Sequence, residues 1–241
     1  MLRPHSCFNQ LSVWQQINAW LLRFLTSISS VRKVITLYLV YTLSLIPVDT
    51  WASAQFSSIS SRQGLSDNNI NAIVQDHRGL LWIATEAGLN RFDGHSIETY
   101  THGKYPDALP DDEIVTMELT ADNKLWLGTE SGGLILFDID RLKFTRIGAP
   151  GTSSSRLDGK QLSSDTVHAL VQVKGNRLFI GTEGGGLNVY DIESQSVAYY
   201  FVDRKQAHSL CHNEVKVMHK ARDGTIWLGT VDGLNRLDPA S

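Results

Sequence analysis

The chain has 241 residues, 42% of them hydrophobic and 20% charged, with a formal net charge of −3. This composition belongs to a globular protein with enough chain for a full core, and it excludes a disordered, collagenous or coiled-coil protein. All 19 glycines fall at or after Gly64, so the chain joins two different compositions. Residues 1–54 carry four basic groups and one acid, whereas residues 55–241 carry 18 Lys and Arg against 24 Asp and Glu, a net of −6. An acidic globular part without a basic stripe excludes nucleic acid as a partner and matches an anionic membrane surface poorly.

Residues 34–48, VITLYLVYTLSLIPV, hold no charge, follow Arg32 and Lys33, and precede Ala52-Ser53-Ala54. A basic region, an apolar stretch and an A-x-A site in that order make a signal peptide, so 1–54 is a targeting segment with cleavage expected after Ala54. Pro47 suits the helix break between the apolar stretch and the cut. Fifteen apolar residues fall short of the ~20 that a spanning helix needs, which favours cleavage over retention as an inner-membrane anchor. The expected location is therefore exported and periplasmic. Such a compartment is oxidising. Removal of Cys7 nevertheless leaves Cys211 alone, so no internal disulfide is expected.

From residue 55 onward the chain repeats itself. Trp82-Ile83-Ala84-Thr85, Trp126-Leu127-Gly128-Thr129, Phe179-Ile180-Gly181-Thr182 and Trp227-Leu228-Gly229-Thr230 superpose, 44, 53 and 48 residues apart. Seventeen residues before each aromatic stands a leucine: Leu65, Leu109, Leu162 and Leu210. Twelve before it stand Ile70, Ile114, Val167 and Val215, and nine before it Ile73, Met117, Leu170 and Met218. The Leu-to-Thr half never changes length, as expected of packed strands that cannot slip register, and all variation lies in the other half.

Each copy holds up to four short strands, a to d. In the first copy they start at Ile70, Leu81, Leu89 and Ile97. The a–b turns, Arg78-Gly79, Asp122-Asn123, Gly175-Asn176 and Asp223-Gly224, suit the positive φ of tight hairpins. About 45 residues and four strands per copy make the blade of a β-propeller. The expected fold is thus all-β, with four blades of four-stranded antiparallel sheet over about 65–108, 109–161, 162–209 and 210–241, preceded by an N-terminal signal helix.

The run from Gly64-Leu65-Ser66-Asp67-Asn68-Asn69-Ile70 to Asp93, and again Asp223–Asp238, resembles the two-component regulator propeller repeat. The middle copies are looser, with Phe179 in place of tryptophan and Lys174-Gly175 in place of an Asp-led turn. The resemblance covers about 56–241. It implies the periplasmic sensing part of a histidine kinase or diguanylate cyclase that takes part in signal transduction. Strand d of the fourth copy is not found in the sequence, while Phe56-Ser57-Ser58-Ile59 stands where a strand d belongs. The expectation is the front part of a larger propeller, with a closed four-blade ring as the alternative.

In such a meander the d–a and b–c loops share one face around a central channel. Asn68, Asn69, Asp112, Glu113, Asp165, Asn213 and Glu214 come from d–a loops, and Glu86, Glu130, Glu183 and Asp232 from b–c loops. This ring of carboxylates and amides is the candidate ligand site, suited to sugar hydroxyls, a cation or a basic peptide. Residue by residue, such groups more often cap their own turns. The aromatics at the Trp82 column read as packing between blades and the threonines of the Thr85 column as structural hydroxyls.

Gly181–Gly186 lies between two strands and lacks the helix that a phosphate loop needs. His208, Cys211 and His212 cluster without an evident fourth metal ligand, so no metal or cofactor is expected. Nor does any catalytic constellation stand out. The leading expectation is therefore a non-enzymatic module that binds a small extracellular ligand, an oligosaccharide among the candidates, and signals to a membrane kinase or cyclase. The alternatives are a periplasmic propeller enzyme acting on carbohydrate and a truncated sensor fragment.

Overall fold

The structure, a computed structural model, describes residues 18, 30–44, 55–103, 108–147, 159–173, 176–206 and 208–238. The chain divides into two compact units, Met1–Phe56 and Ser57–Ser241. In the first, α1 (Ser30–Ser44) begins just before the Arg32-Lys33 pair and runs into the apolar stretch. Its Val34, Leu37, Tyr38 and Tyr41 are exposed. Among the described residues no helix is long and apolar enough to cross a membrane. Pro47 and the expected cut after Ala54 lie outside the described residues.

The second unit is built of strands. Blade 1 comprises β1 (Ile70–Gln75), β2 (Leu81–Thr85), β3 (Gly88–Phe92) and β4 (Ile97–Tyr100). Blade 2 comprises β5 (Ile114–Leu119), β6 (Lys124–Thr129), β7 (Leu134–Asp138) and β8 (Lys143–Ile147). Blade 3 comprises β9 (Val167–Val173), β10 (Arg177–Thr182), β11 (Leu187–Asp191) and β12 (Ser196–Tyr200). Blade 4 holds β13 (Val215–Lys220), β14 (Ile226–Thr230) and β15 (Gly233–Leu237). Each sheet is an antiparallel meander in sequence order. The expected four-stranded propeller blade is thus present three times, and among the described residues the fourth sheet has three strands.

The local sequence explains the hairpins. The residue three before each aromatic has positive φ: Gly79 at 85°, Asn123 at 60°, Asn176 at 57° and Gly224 at 91°. Glycine and asparagine tolerate that region, so each a–b turn closes without strain. In blade 1 the turn is tied further by Asp76, which is buried. Its Oδ1 accepts from the backbone N–H of Arg78 and Leu80, and its Oδ2 accepts from Trp82 Nε1 at 3.1 Å.

Packing runs from blade to blade. Trp82 lies in one cluster with Leu109, Ile114 and Met117 of blade 2. Trp126 lies with Leu162, Val167 and Leu170 of blade 3, and Phe179 with Leu210 and Val215 of blade 4. The aromatic column therefore packs against the leucine and β-branched columns of the next copy. Innermost strands β1, β5, β9 and β13 lie side by side in that order.

Two expectations are corrected. Phe56-Ser57-Ser58-Ile59 is not a strand; it is exposed chain that leads into a 3-10 turn, Ser61–Gln63, capped by Ser60. Its own blade already has its fourth strand, β4, so the segment has nothing to pair with there. Nor is a four-blade ring closed. Ile70 and Ile73 on blade 1 and Val217, Trp227 and Leu234 on blade 4 are exposed, whereas the matching positions between blades are covered.

Candidate functional site

The loops that start strand a and those that join strands b and c do share a face, and the backbone holds them together. Within blades, the N–H of Glu130 donates to Glu113 O at 3.0 Å, that of Glu183 to Thr166 O at 3.1 Å and that of Val231 to Glu214 O at 3.2 Å. Between blades, Gly133 N–H donates to Asp165 O at 2.9 Å and Gly186 N–H to Asn213 O at 2.6 Å. Thr166 Oγ1 returns a bond to Glu130 O. The approach is so close that a Cβ on Gly132 would stand 2.6 Å from Asp111 Cβ. The b–c turn is locked by the repeated hydroxyl: Thr85, Thr129, Thr182 and Thr230 Oγ1 each donate to the glycine carbonyl that follows, at 2.9–3.0 Å.

The eleven residues singled out from sequence divide by what their side chains do. Asn68 is occupied by the 3-10 turn, accepting from Ser61 N–H and donating to Ser61 Oγ. Asp112 Oδ1 accepts from His102 N–H, and Asn213 Oδ1 from Val202 N–H. These three hold their own loops, as short polar side chains commonly do.

The others stand on the d–a and b–c loops without such a role in their own turn. Asn69 Nδ2 donates to Glu86 Oε2 at 2.8 Å. Burial, followed by the charges of Glu130, Glu86 and Asp111, pushes the Glu113 carboxyl above its ordinary value. Glu86 of blade 1 and Glu113 and Glu130 of blade 2 therefore form one acidic group. Burial also pushes Asp165 up, against Arg146. Glu183 and Asp232 are exposed on their turns. Glu214 is paired with Lys216, which holds its carboxyl below the ordinary value, helped by His168 and His212.

Asp111 was not among those eleven. Burial pushes it up, but the N–H of Ser131, Glu113 and Gly132 and the Ser131 hydroxyl more than offset this and hold it low. It fastens the b–c loop of blade 2.

Strand a supplies residues that sequence reasoning missed. A register shift falls near the start of each: between Ile70 and Ala72, Ile114 and Thr116, and Val215 and Val217, and opposite Gly181–Thr182 in blade 3. A bulge re-aims the extra side chain. Asn71 uses it to donate across the junction to Ile114 O at 2.8 Å. Lys216 Nζ lies 3.1 Å from His168 Nε2 of the neighbouring strand. Further along, Glu118 Oε1 accepts from Gln172 N–H and Lys220 Nζ donates to Gln172 O. Strands β9 and β13 are thus stitched by polar side chains at both ends, and β1–β5 and β5–β9 at one.

A second missed set is the asparagine of the Gly-Leu-Asn runs. Asn90, Asn188 and Asn235 accept, through Oδ1, from the N–H of Ser66, Ser163 and Cys211 at 2.8–2.9 Å. Each ties strand c to the incoming d–a loop. Blade 2 has Ile135 at that place. The triple recurrence of Gly-Leu-Asn was the available signal.

Beside β15 lies a cavity of about 500 Å³, lined by Tyr199, Phe201, His208, Asn235, Arg236 and Leu237 among others. In blade 3 the matching Asn188, Val189 and Tyr190 are paired with Tyr199, Ala198 and Val197 of β12. The cavity is therefore the room that a fourth strand fills elsewhere. His208, Cys211 and His212 do not converge. Cys211 N–H goes to Asn235, and His212 Nδ1 accepts from Glu214 N–H. Among the described residues no group of three or more His, Cys, Asp or Glu is placed to hold a metal.

Residues 64–87 match the family described as two component regulator propeller. Two solved structures with this fold are extracellular domains of hybrid two component systems from B. thetaiotaomicron. One is 24% identical with a TM-score of 0.65 over 77% of this chain and 25% of that one. The other is 20% identical with a TM-score of 0.63 over 77% and 23%. Histidine kinase P4 of Formosa agariphila is 44% identical over 45 residues, which are 19% of this chain and 3% of the kinase. The chain thus spans about a quarter of those solved chains, and its match a small part of the kinase.

Proposed function

We propose, from the match of residues 64–87 to the two component regulator propeller family, that this chain is the exported sensing module of a two-component or cyclic-di-GMP type signalling protein. In this reading residues 1–54 direct export, with the cut after Ala54. The blades take up a small polar ligand at the channel mouth, and the bound state is passed to a kinase or cyclase. The module performs no chemistry of its own.

What supports the reading is the acidic group formed by side chains of two repeats, the Asn69–Glu86 pair of blade 1 with Glu113 and Glu130 of blade 2, and the Glu214–Lys216 pair on the matching loop of blade 4. Carboxylates and an amide accept from sugar hydroxyls or amines, and the lysine donates. A rigid scaffold presenting loops is the usual way to hold such groups in place.

The test is a thermal-shift screen of the chain with oligosaccharides and amino compounds, followed by recovery of the hit. A stabilising compound returned unaltered, whose shift is lost in Glu86→Gln with Glu113→Gln, is the expected result. Conversion of the compound to product overturns the sensing role in favour of a carbohydrate enzyme. A hit indifferent to both substitutions overturns the site.

A further inference from the structure

Blade 2 departs from the repeat at the place where strand c meets the incoming d–a loop. In the other blades an asparagine accepts from the N–H of the residue after the repeated leucine. Blade 2 has Pro110 after Leu109, and proline has no N–H to accept from. Ile135, fully buried, stands in the place of the asparagine. Opposite Ile135, on β8, stands Arg146, where Thr99 and Tyr199 face Asn90 and Asn188. The repeat therefore has no use for a guanidinium here.

The protein also makes little use of it. Arg146 Nε is buried without a hydrogen-bond partner, and among the described residues its one bond is a long one, from Nη2 to Ser131 O at 3.5 Å. A buried polar group without a partner calls for an explanation. On the other side of the same b–c loop lies Asp165, whose carbonyl accepts from Gly133 N–H at 2.9 Å. A Cβ on Gly133 would stand 3.8 Å from Asp165 Oδ1. Asn68, Asp112 and Asn213 hold the matching place in the other copies, and each spends its side chain on its own loop. The Asp165 carboxylate has no hydrogen bond among the described residues, and Arg146 is the charge that acts on it. The two form no ion pair. A half-buried guanidinium and a half-buried carboxylate thus face one turn, Ser131–Gly133, and each lacks a counter-charge in contact.

We propose that Arg146 and Asp165 form a subsite for the head group of an α-amino acid. The inference rests on the reading of this loop face as the ligand face. The guanidinium fork matches a carboxylate, and the Asp165 carboxylate, an acceptor only, matches an ammonium. A simple anion meets the charge of Asp165, and a simple cation that of Arg146. A zwitterion gives both groups their counter-charge and leaves the half-buried site neutral, which a hydroxyl-bearing ligand does only with weaker, uncharged partners.

The test is isothermal titration of the full chain with the free α-amino acids, and of each binder's amide and N-acetyl derivative. At least one amino acid is expected to bind, and both derivatives at least about tenfold more weakly, since each loses one charged contact. Arg146→Gln and Asp165→Asn are each expected to weaken binding by a similar factor. Arg146→Lys keeps the charge but not the fork and is expected to bind more weakly than the parent. Melting curves of the three variants stay close to that of the parent, because the protein's own bonds to these groups are so few. The absence of any amino-acid binding, derivatives that bind as well as the parent compound, or binding indifferent to the substitutions overturns the proposal. A saccharide that binds equally to the parent, Arg146→Gln and Asp165→Asn proteins and loses its affinity in Glu86→Gln with Glu113→Gln overturns it while leaving the sensing role in place. A chain that binds no small polar compound at all overturns both.

Discussion

Trp82 and Trp227 hold the same place in the repeat, in strands of the same length, beside the same Leu-or-Ile, Ala-or-Gly, Thr run. Trp82 is fully buried and Trp227 is 37% exposed. The difference lies in what comes after. Trp82 has blade 2 in front of it, and among the described residues no further blade stands in front of Trp227. The stability of a blade in this fold is therefore mostly a property of the junction, as in other stacked-repeat proteins where neighbours supply the core.

The largest expected effect breaks that comparison directly. Trp82→Ala removes a ring that packs on Tyr100 and Phe137 and whose Nε1 donates to Asp76. It is expected to cost about 3–5 kcal/mol. Trp227→Ala is expected to cost roughly 1 kcal/mol, because part of its surface already meets water. Urea denaturation of the two variants checks this. Equal costs would mean that the aromatics stabilise their own sheets and not the junctions.

A finer version concerns one methyl group. Two residues after each aromatic comes Ala84, Gly128, Gly181 or Gly229. A Cβ on Gly181 would meet Val215 Cγ1 at 2.8 Å and the Val215 carbonyl at 3.0 Å, and Val215 is fully buried. A Cβ on Gly229 would meet Val217 Cγ1 at 2.7 Å, but Val217 is exposed and free to turn away. Gly181→Ala is therefore expected to cost about 1–3 kcal/mol. Gly229→Ala should stay within about 0.5 kcal/mol. Blade 1 carries alanine at this place, with Ala72 opposite Ala84, where Gly128 faces Thr116. If Gly229→Ala costs as much as Gly181→Ala, Val217 is not free to turn away.

What was legible in the sequence follows the same division. The Leu65, Ile70, Ile73 and Trp82 columns could be read because inter-blade packing repeats one set of contacts and so fixes residue type and spacing. The turns could be read because Gly79, Asn123, Asn176 and Gly224 need positive φ. The strand-a bulge could not, since it changes neither length nor composition. Asn71, His168 and Lys216 were therefore passed over as ordinary strand residues. Phe56–Ile59 has the composition of a strand, yet a strand exists only where an edge is offered, and its own blade offers none. At the candidate mouth the loop pairing was legible from meander geometry. Which groups were spent on their own turns was not: Asn68, Asp112 and Asn213 read the same as Asn69 and Glu113 until their donors and acceptors are placed.

The smallest expected effect contrasts the first junction with the last in charge. Glu113 faces only acids, Glu130, Glu86 and Asp111, and with burial they hold its carboxyl above the ordinary 4.5. A carboxyl raised in the folded state binds its proton more tightly there, so the fold loses stability as pH rises through the interval above 4.5. Glu214 faces Lys216 and the His168 and His212 rings, and is held below 4.5. Its contribution is present above 4.5 and is lost as pH falls through the lowered folded value. Glu113→Gln is accordingly expected to raise the melting temperature at neutral pH by about 1 °C, an effect that vanishes on acidification. Glu214→Gln is expected to lower it slightly at neutral pH, and that effect too fades in acid. Paired melting curves at neutral and acid pH decide the matter. A Glu113→Gln protein that melts lower than the parent at neutral pH would mean that the three carboxylates are held apart or share a counterion, and that the mouth at blades 1 and 2 is not the acidic group described.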